Sequence, residues 1–102
     1  MYSQEIAAIA TVRTLETAEA RYRAQFNRCG SFRELAHAGM IDTPLASGFH
    51  SGYEFVLTGC TVQAAPTLYN ESGSRTFYCD ETMVVHEHYG PEPATARDPQ
   101  TK

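Results

Sequence analysis

The chain has 102 residues and a formal net charge of −4, which is enough for one domain with a modest core. Its basic residues are scattered and form no basic stripe, so a nucleic-acid partner is not expected. The sequence contains no run of about 18 apolar residues and no signal-peptide pattern, so no membrane span is predicted in it.

The first element is a long amphipathic helix, predicted from Ser3 to about Asn27 in a stretch without glycine or proline. Its apolar residues recur at steps of three and four, which places them on one stripe. The stripe consists of Ala8, Val12, Leu15, Ala18, Tyr22 and Phe26. Glu16 and Glu19 lie mostly off it, and Glu19 precedes Arg23 by four residues, the order that favours a charge pair.

A second face of this helix carries mainly small residues. Its members are Ile6, Ala10, Thr17, Ala20 and Ala24. Such a row lets another backbone approach closely, but alanine is also simply the best helix former, and the sequence does not decide between these readings.

A short second helix follows the first. Gly30 is a helix stop, and Ser31 with Glu34 forms a capping-box pattern. This pattern predicts a helix from Phe32 to Ala38, with Leu35 facing inward. Residues 42–52 contain proline and glycine and are predicted to be loop.

Three strands are predicted in the second half of the chain. The residues from Tyr53 to about Ala64 alternate between apolar and polar, and the alternation changes parity at Gly59, where we predict a β-bulge. The second strand runs from Arg75 to Asp80 and the third from Met83 to His88. Because the links are short, we expect the strands to be antiparallel neighbours.

These elements predict an α+β fold, in which the long N-terminal helix packs on a three- to four-stranded antiparallel meander sheet. Residues 1–89 are expected to form a single globular domain. Residues 90–102 hold three prolines and almost no apolar side chain, which predicts a disordered tail. The predicted core consists of Leu15, Tyr22 and Phe26 packed against Phe55, Leu57 and Phe77.

Several segments, taken in order, carry a family resemblance. They are residues 7–19, Leu35-Ala36, residues 45–48, residues 51–55 and residues 75–82. The series resembles bacterial type IV pilin-like proteins and pseudopilins, and it covers most of residues 3–88. The resemblance implies a pilin-like fold and a non-enzymatic structural subunit of a pilus or pseudopilus filament. Met83 is a departure, because similar sequences often carry glycine there.

Members of that family have a cleaved leader and a hydrophobic helical segment that anchors the subunit in the inner membrane and later forms the filament core. Neither is in this sequence, so we expect it to be the globular part. The implied location is periplasmic before assembly, then a pilus or a periplasmic pseudopilus. The implied partners are other pilin or pseudopilin subunits and the assembly machinery. The alternative is a small periplasmic or extracellular binding module, with or without a bound metal.

Few residues suggest chemistry. His86 and His88 share one face of a strand and could hold a metal with Asp80 or Glu81, but no third ligand has a defined spacing, so an exposed polar edge strand is the preferred interpretation. Cys79 with His86 could suggest a thiol nucleophile, yet no residue is predicted to orient the pair. We therefore predict no catalytic residue, no metal ligand and no cofactor.

The cysteines are odd in number: Cys29, Cys60 and Cys79. If the first two strands pair so that 62 faces 77, then Cys60 faces Cys79, and we predict a disulfide between them with Cys29 free. The rival pairing joins Cys29 to Cys60 and ties the helix end to the sheet. The periplasm, which the resemblance implies, would oxidise either pair.

Overall fold

The computed structural model describes residues 2–42, 45 and 47–101, and it shows a long helix on a five-stranded antiparallel sheet. The helices are α1 (Tyr2–Phe26) and α2 (Phe32–His37), and the strands are β1 (Phe49–His50), β2 (Tyr53–Thr58), β3 (Thr61–Pro66), β4 (Arg75–Cys79) and β5 (Val85–Tyr89). The strands lie in chain order, so the sheet is a meander. The predicted α+β arrangement is confirmed, with more strands than the predicted three to four.

Some predictions fall on residues outside this description. They are the loop assignments of Thr43, Pro44 and Ala46 and the two ends of the chain, Met1 and Lys102.

The core lies between α1 and one face of the sheet, here called the inner face. From α1 it takes Ala8, Val12, Leu15, Ala18 and Tyr22, and from the inner face Tyr53, Phe55, Val62, Ala64, Phe77, Cys79 and Val85. The buried hydroxyl of Tyr53 donates a hydrogen bond to the carbonyl oxygen of Arg75 at 2.7 Å, so this phenol does not lose a partner on burial.

The predicted core residues differ in burial. Leu15, Tyr22, Phe55 and Phe77 are buried, and Leu57 is half-buried against them. The prediction for Phe26 is wrong, because its side chain is 46% exposed. Phe26 is the last residue of α1, where its ring packs on that of Tyr22 at a centroid distance of 4.4 Å instead of under the sheet.

The predicted single strand from Tyr53 to Ala64 is in fact a hairpin of β2 and β3. Thr58 pairs with Thr61, so Gly59 and Cys60 form a two-residue turn. Gly59 has a φ of 58°, and a positive φ at the first central position is the pattern of the type II′ turn favoured in hairpins. The parity change predicted as a bulge therefore comes from chain reversal, after which Val62 faces inward opposite Leu57.

The pairing of β3 with β4 corrects the predicted disulfide. Val62 faces Cys79 and Ala64 faces Phe77, two residues away from the predicted register. A shift of the strand register by two residues leaves the same side chains facing inward, so Cys79 stays buried. Cys60, however, lies in the turn and has no partner on β4. The expected Cys60–Cys79 bond is wrong, and Cys60 bonds to Cys29 across a Cα–Cα distance of 5.4 Å.

The capping box of α2 is present as predicted. The Ser31 hydroxyl accepts from the Glu34 amide at 3.2 Å, and the Glu34 carboxylate accepts from the Ser31 amide at 3.0 Å. The loop prediction missed β1, whose Phe49 pairs with Glu54. With only two residues, β1 is too short to produce the alternation that identifies a strand in sequence.

Residues 91–101, here called the return segment, pack on the sheet and do not form the predicted disordered tail. Ala94 is 1% exposed, and the Thr76 hydroxyl on the outer face donates to the carbonyl oxygen of Glu92 at 2.7 Å. The Thr101 amide then donates to the carbonyl oxygen of Val85 at 2.7 Å. The composition of the segment was misleading because most of its contacts use the main chain, which needs few apolar side chains.

Truncation of two phenylalanines should show which of the two side chains lies in the core. We expect Phe77→Ala to cost about 3–5 kcal/mol of unfolding free energy, because it opens a cavity at a fully buried site. Phe26→Ala, the control, should cost less than about 1 kcal/mol, because that ring is half exposed. Urea denaturation measures both, and equal losses would contradict this placement of the core.

Removal of the disulfide should lower the free energy of unfolding. The two cysteines are 31 residues apart, and closing a loop of that size stabilises a folded chain by about 3–4 kcal/mol in the chain-entropy estimate. The double variant Cys29→Ser, Cys60→Ser should lose about that much unfolding free energy in urea denaturation. Peptide mapping without reductant should find Cys29 linked to Cys60, and a cross-linked peptide containing Cys79 would contradict the structure.

Candidate functional site

All the glutamates of α1 are buried, although glutamate is rarely buried unless it is paired. Glu5, Glu16 and Glu19 are 5%, 2% and 1% exposed. They face the sheet side of the helix, and each has a different set of neighbours. This group is the most unusual feature of the described part of the chain.

Glu5 is fully paired with the start of β4. One carboxylate oxygen accepts from the Ser74 amide at 2.7 Å, and the other lies 3.0 Å from the Arg75 guanidinium. Arg75 also lies 3.5 Å from Glu87 and stacks over the ring of Phe77 at 5.2 Å. Because both of its oxygens have partners, Glu5 anchors the first part of α1 to the sheet.

Glu19 and Glu16 are less well paired. One Glu19 oxygen accepts from the Gly30 amide at 2.7 Å, but its Oε2 has no hydrogen-bond partner among the described residues. Glu16 Oε1 is buried in the same way without a partner there. The predicted pair of Glu19 with Arg23 is not formed, because Arg23 forms an ion pair with Glu81 in the turn after β4.

Burial and like charge raise the proton affinity of both carboxyls. The pKa of Glu16 rises to about 7, first because of burial and then because of the negative charges of Glu19 and Asp80. Burial also raises the pKa of Glu19, and the Gly30 amide partly opposes that shift. Glu16 therefore gains or loses its proton near neutral pH.

The two carboxyls line a small cavity of about 40 Å³, which has room for only a few water molecules. We call it the carboxylate pocket. It is lined by Glu16, Glu19, Ala20, Arg23, Cys29, Cys60, Glu81 and Met83. The Cys29–Cys60 disulfide is thus part of its wall. A space of this size can hold a proton and water beside the carboxyls but not an organic substrate.

Cys79 is a poor nucleophile in this setting. Burial, followed by the charge of Glu16, raises the pKa of its thiol to about 12, so the thiolate is scarce at neutral pH. The structure does not bring Cys79 to His86. Cys79 pairs with Val85 on the inner face, and His86, the next residue, points to the opposite face.

His86 and His88 share the outer face of β5 as predicted, but their partners come from the return segment. His86 Nδ1 lies 2.7 Å from the Asp98 carbonyl oxygen, and His88 Nδ1 lies 3.1 Å from the Asp98 carboxylate. Asp80 instead accepts from the Thr82 amide at 3.0 Å. Within residues 2–42, 45 and 47–101, no group of three His, Cys, Asp or Glu side chains is arranged to hold a metal ion.

Sequence reasoning missed the carboxylate pocket, although a signal for it exists. Val12, Glu16 and Glu19 continue the spacing of four and three that defines the buried stripe. The two glutamates were predicted to lie mostly off the stripe, but both are buried with it. Asp98 was missed because its segment was predicted to be disordered.

In the part of the chain that the structure describes, neither helix is sufficiently long and apolar to cross a lipid bilayer. Comparisons of the chain with protein-family models, curated proteins and solved structures find no match.

The pKa of Glu16 predicts that stability falls as pH rises. Below about pH 4.5 the carboxyl is protonated in both states, whereas between 4.5 and 7 only the unfolded state ionises. We expect a loss on the order of 2–3 kcal/mol across that window. Glu16→Gln should remove most of it in urea denaturation from pH 4 to 8, whereas exposed Glu54→Gln should not. An unchanged slope in Glu16→Gln would contradict this assignment.

Proposed function

We propose that the chain is a structural, non-enzymatic subunit of a type IV pilin-like or pseudopilin filament. The two faces of α1 carry this proposal. One face is buried under the sheet along most of its length, and the opposite face remains open from Ile6 to Ala24. A helix of 25 residues would extend about 38 Å, which is long for a domain of this size and suits a subunit that packs along a common axis.

The open face is suited to close packing with other chains. Ala10, Thr17, Ala20 and Ala24 are exposed, and small side chains allow two backbones to approach. Every acid of the helix is buried on the sheet side, so this face carries no negative charge. Arg13 and Arg21 flank the row and would meet acidic groups of a neighbouring subunit.

The attachment of α1 supports the same role. Glu5 is joined to Arg75 near the beginning of the helix, and the Cys29–Cys60 disulfide joins the segment after its end to the β2–β3 turn. A helix held at both ends transmits load from one subunit to the next without sliding on its sheet. The disulfide also fits an oxidising compartment such as the periplasm or the cell exterior.

In this proposal the partners are other pilin or pseudopilin subunits and the machinery that assembles them. The subunit would be anchored in the inner membrane with its domain in the periplasm, and would then enter a pilus or a periplasmic pseudopilus. Its mechanism is assembly. A hydrophobic helical segment of about 20 residues would precede Ser3 in the native protein and form the filament core.

A bulky side chain on the open face should block assembly without unfolding the domain. In cells that carry the complete gene, Ala10→Trp should remove the subunit from the sedimentable filament fraction. Leu68→Trp, at a loop position that is 59% exposed, is the control and should assemble normally. Both variants should melt within a few degrees of the unmodified domain, since neither position is in the core.

Two results would overturn the proposal. One is normal filament incorporation of Ala10→Trp. The other is a native coding sequence in which no hydrophobic segment precedes Ser3.

A further inference from the structure

The outer edge of β5 is occupied by the return segment of the same chain. The Glu87 amide donates to the carbonyl oxygen of Pro99 at 2.8 Å, and the Thr101 amide donates to that of Val85 at 2.7 Å. His86 and Gln100 face each other as an antiparallel pair. The return segment therefore extends the sheet by one short strand, which shows that this edge can accept an extended peptide.

Side chains on the outer face add specificity to this pairing. Asp98 contacts His86 through its carbonyl oxygen and His88 through its carboxylate. The Thr76 hydroxyl holds the carbonyl oxygen of Glu92, and the side chain of Ala94 is buried against the sheet. None of these contacts requires that the segment and the sheet belong to the same molecule.

The connection between β5 and the return segment is a glycine followed by a proline-rich stretch. Gly90 has a φ of 135°, a conformation that residues with a side chain rarely adopt. Pro91 and Pro93 limit the backbone on either side of Glu92 and favour extended geometry. The fold-back of the segment onto its own sheet therefore depends on the unusual conformation of one residue.

We propose that the β5 edge is a strand-acceptor site for the return segment of a second copy of this chain, so that copies exchange residues 91–101. Exchange replaces every contact of the segment by the same contact made between molecules. The remaining cost is that of bringing two molecules together, so the exchanged form is expected to increase with protein concentration.

The pairing geometry provides a direct test. Two full-length single variants, His86→Cys and Gln100→Cys, are mixed at high concentration and oxidised. Facing residues in an antiparallel pair have Cα atoms about 4.5–5.5 Å apart, which is within disulfide range. We expect a covalent heterodimer that contains one chain of each variant. The native Cys79 thiol is fully buried and should not compete.

A control variant separates exchange from random collision. Thr17→Cys, exposed on α1, replaces His86→Cys in a parallel mixture with Gln100→Cys. The 86–100 heterodimer should exceed the 17–100 heterodimer by about ten-fold, because exchange holds residues 86 and 100 of different chains face to face, whereas residues 17 and 100 meet only by collision. Equal yields, or links only between identical variants, would overturn the proposal.

Gly90→Ala tests the hinge. A side chain at a φ of 135° strains the fold-back turn, whereas it is tolerated in an extended linker. In size-exclusion chromatography this variant should raise the dimer fraction by about ten-fold at equal concentration, by the same strain. The double variant His86→Cys, Gln100→Cys, oxidised when dilute, should close within one chain and remain monomeric. A Gly90→Ala variant that stays as monomeric as the unmodified chain would overturn the proposal.

Discussion

The buried ion pair between Glu5 and Arg75 determines how α1 lies across the sheet. Both side chains are at most 10% exposed, so neither charge can turn to water if the other is removed. Loss of one partner from such a pair generally costs about 3–5 kcal/mol. Because Glu5 is in the first turns of α1 and Arg75 begins β4, the pair excludes any sliding of the helix by a turn.

The other end of α1 is constrained by a different chemistry. The Glu19 carboxylate accepts from the Gly30 amide, and the neighbouring Cys29 is bonded to Cys60 in the β2–β3 turn. The chain leaving the helix is therefore held by a hydrogen bond and a covalent bond at adjacent residues. Between these two anchor points, the apolar stripe of α1 packs against the inner face of the sheet.

Hydrophobic periodicity was sufficient to predict α1, the alternation in the strands and the α+β arrangement, whereas α2 was predicted from its capping box. Periodicity reports which face of a strand is buried, and for Cys79 that prediction holds. It does not report which residue lies opposite, because a shift by two residues leaves every face unchanged. The predicted disulfide failed for that reason, since the connection from 67 to 74 contains its own turn, with Asn70 bonded to Gly73 at 2.8 Å.

Polar contacts distant in sequence explain why the buried glutamates and the return segment were missed. Glu19 is paired with the Gly30 amide and Glu5 with the Arg75 guanidinium. Neither partner can be identified from the sequence of the helix alone. Asp98 similarly joins a segment whose apolar side chains are all alanine or proline to the histidines of β5. Composition predicts disorder for such a segment because it counts apolar area and ignores the hydrogen bonds of the main chain.

The carboxylate pocket places the Cys29–Cys60 disulfide beside Glu16 and Glu19. The Cys29–Cys60 disulfide forms part of the wall that excludes solvent from Glu16 and Glu19. If the disulfide is reduced, the segment around Gly30 loses its covalent anchor, and entry of water would lower the pKa of Glu16 towards its ordinary value. Coupling of this kind is reciprocal. In that case a protonated Glu16 would favour the arrangement in which Cys29 meets Cys60, and an ionised Glu16 would oppose it.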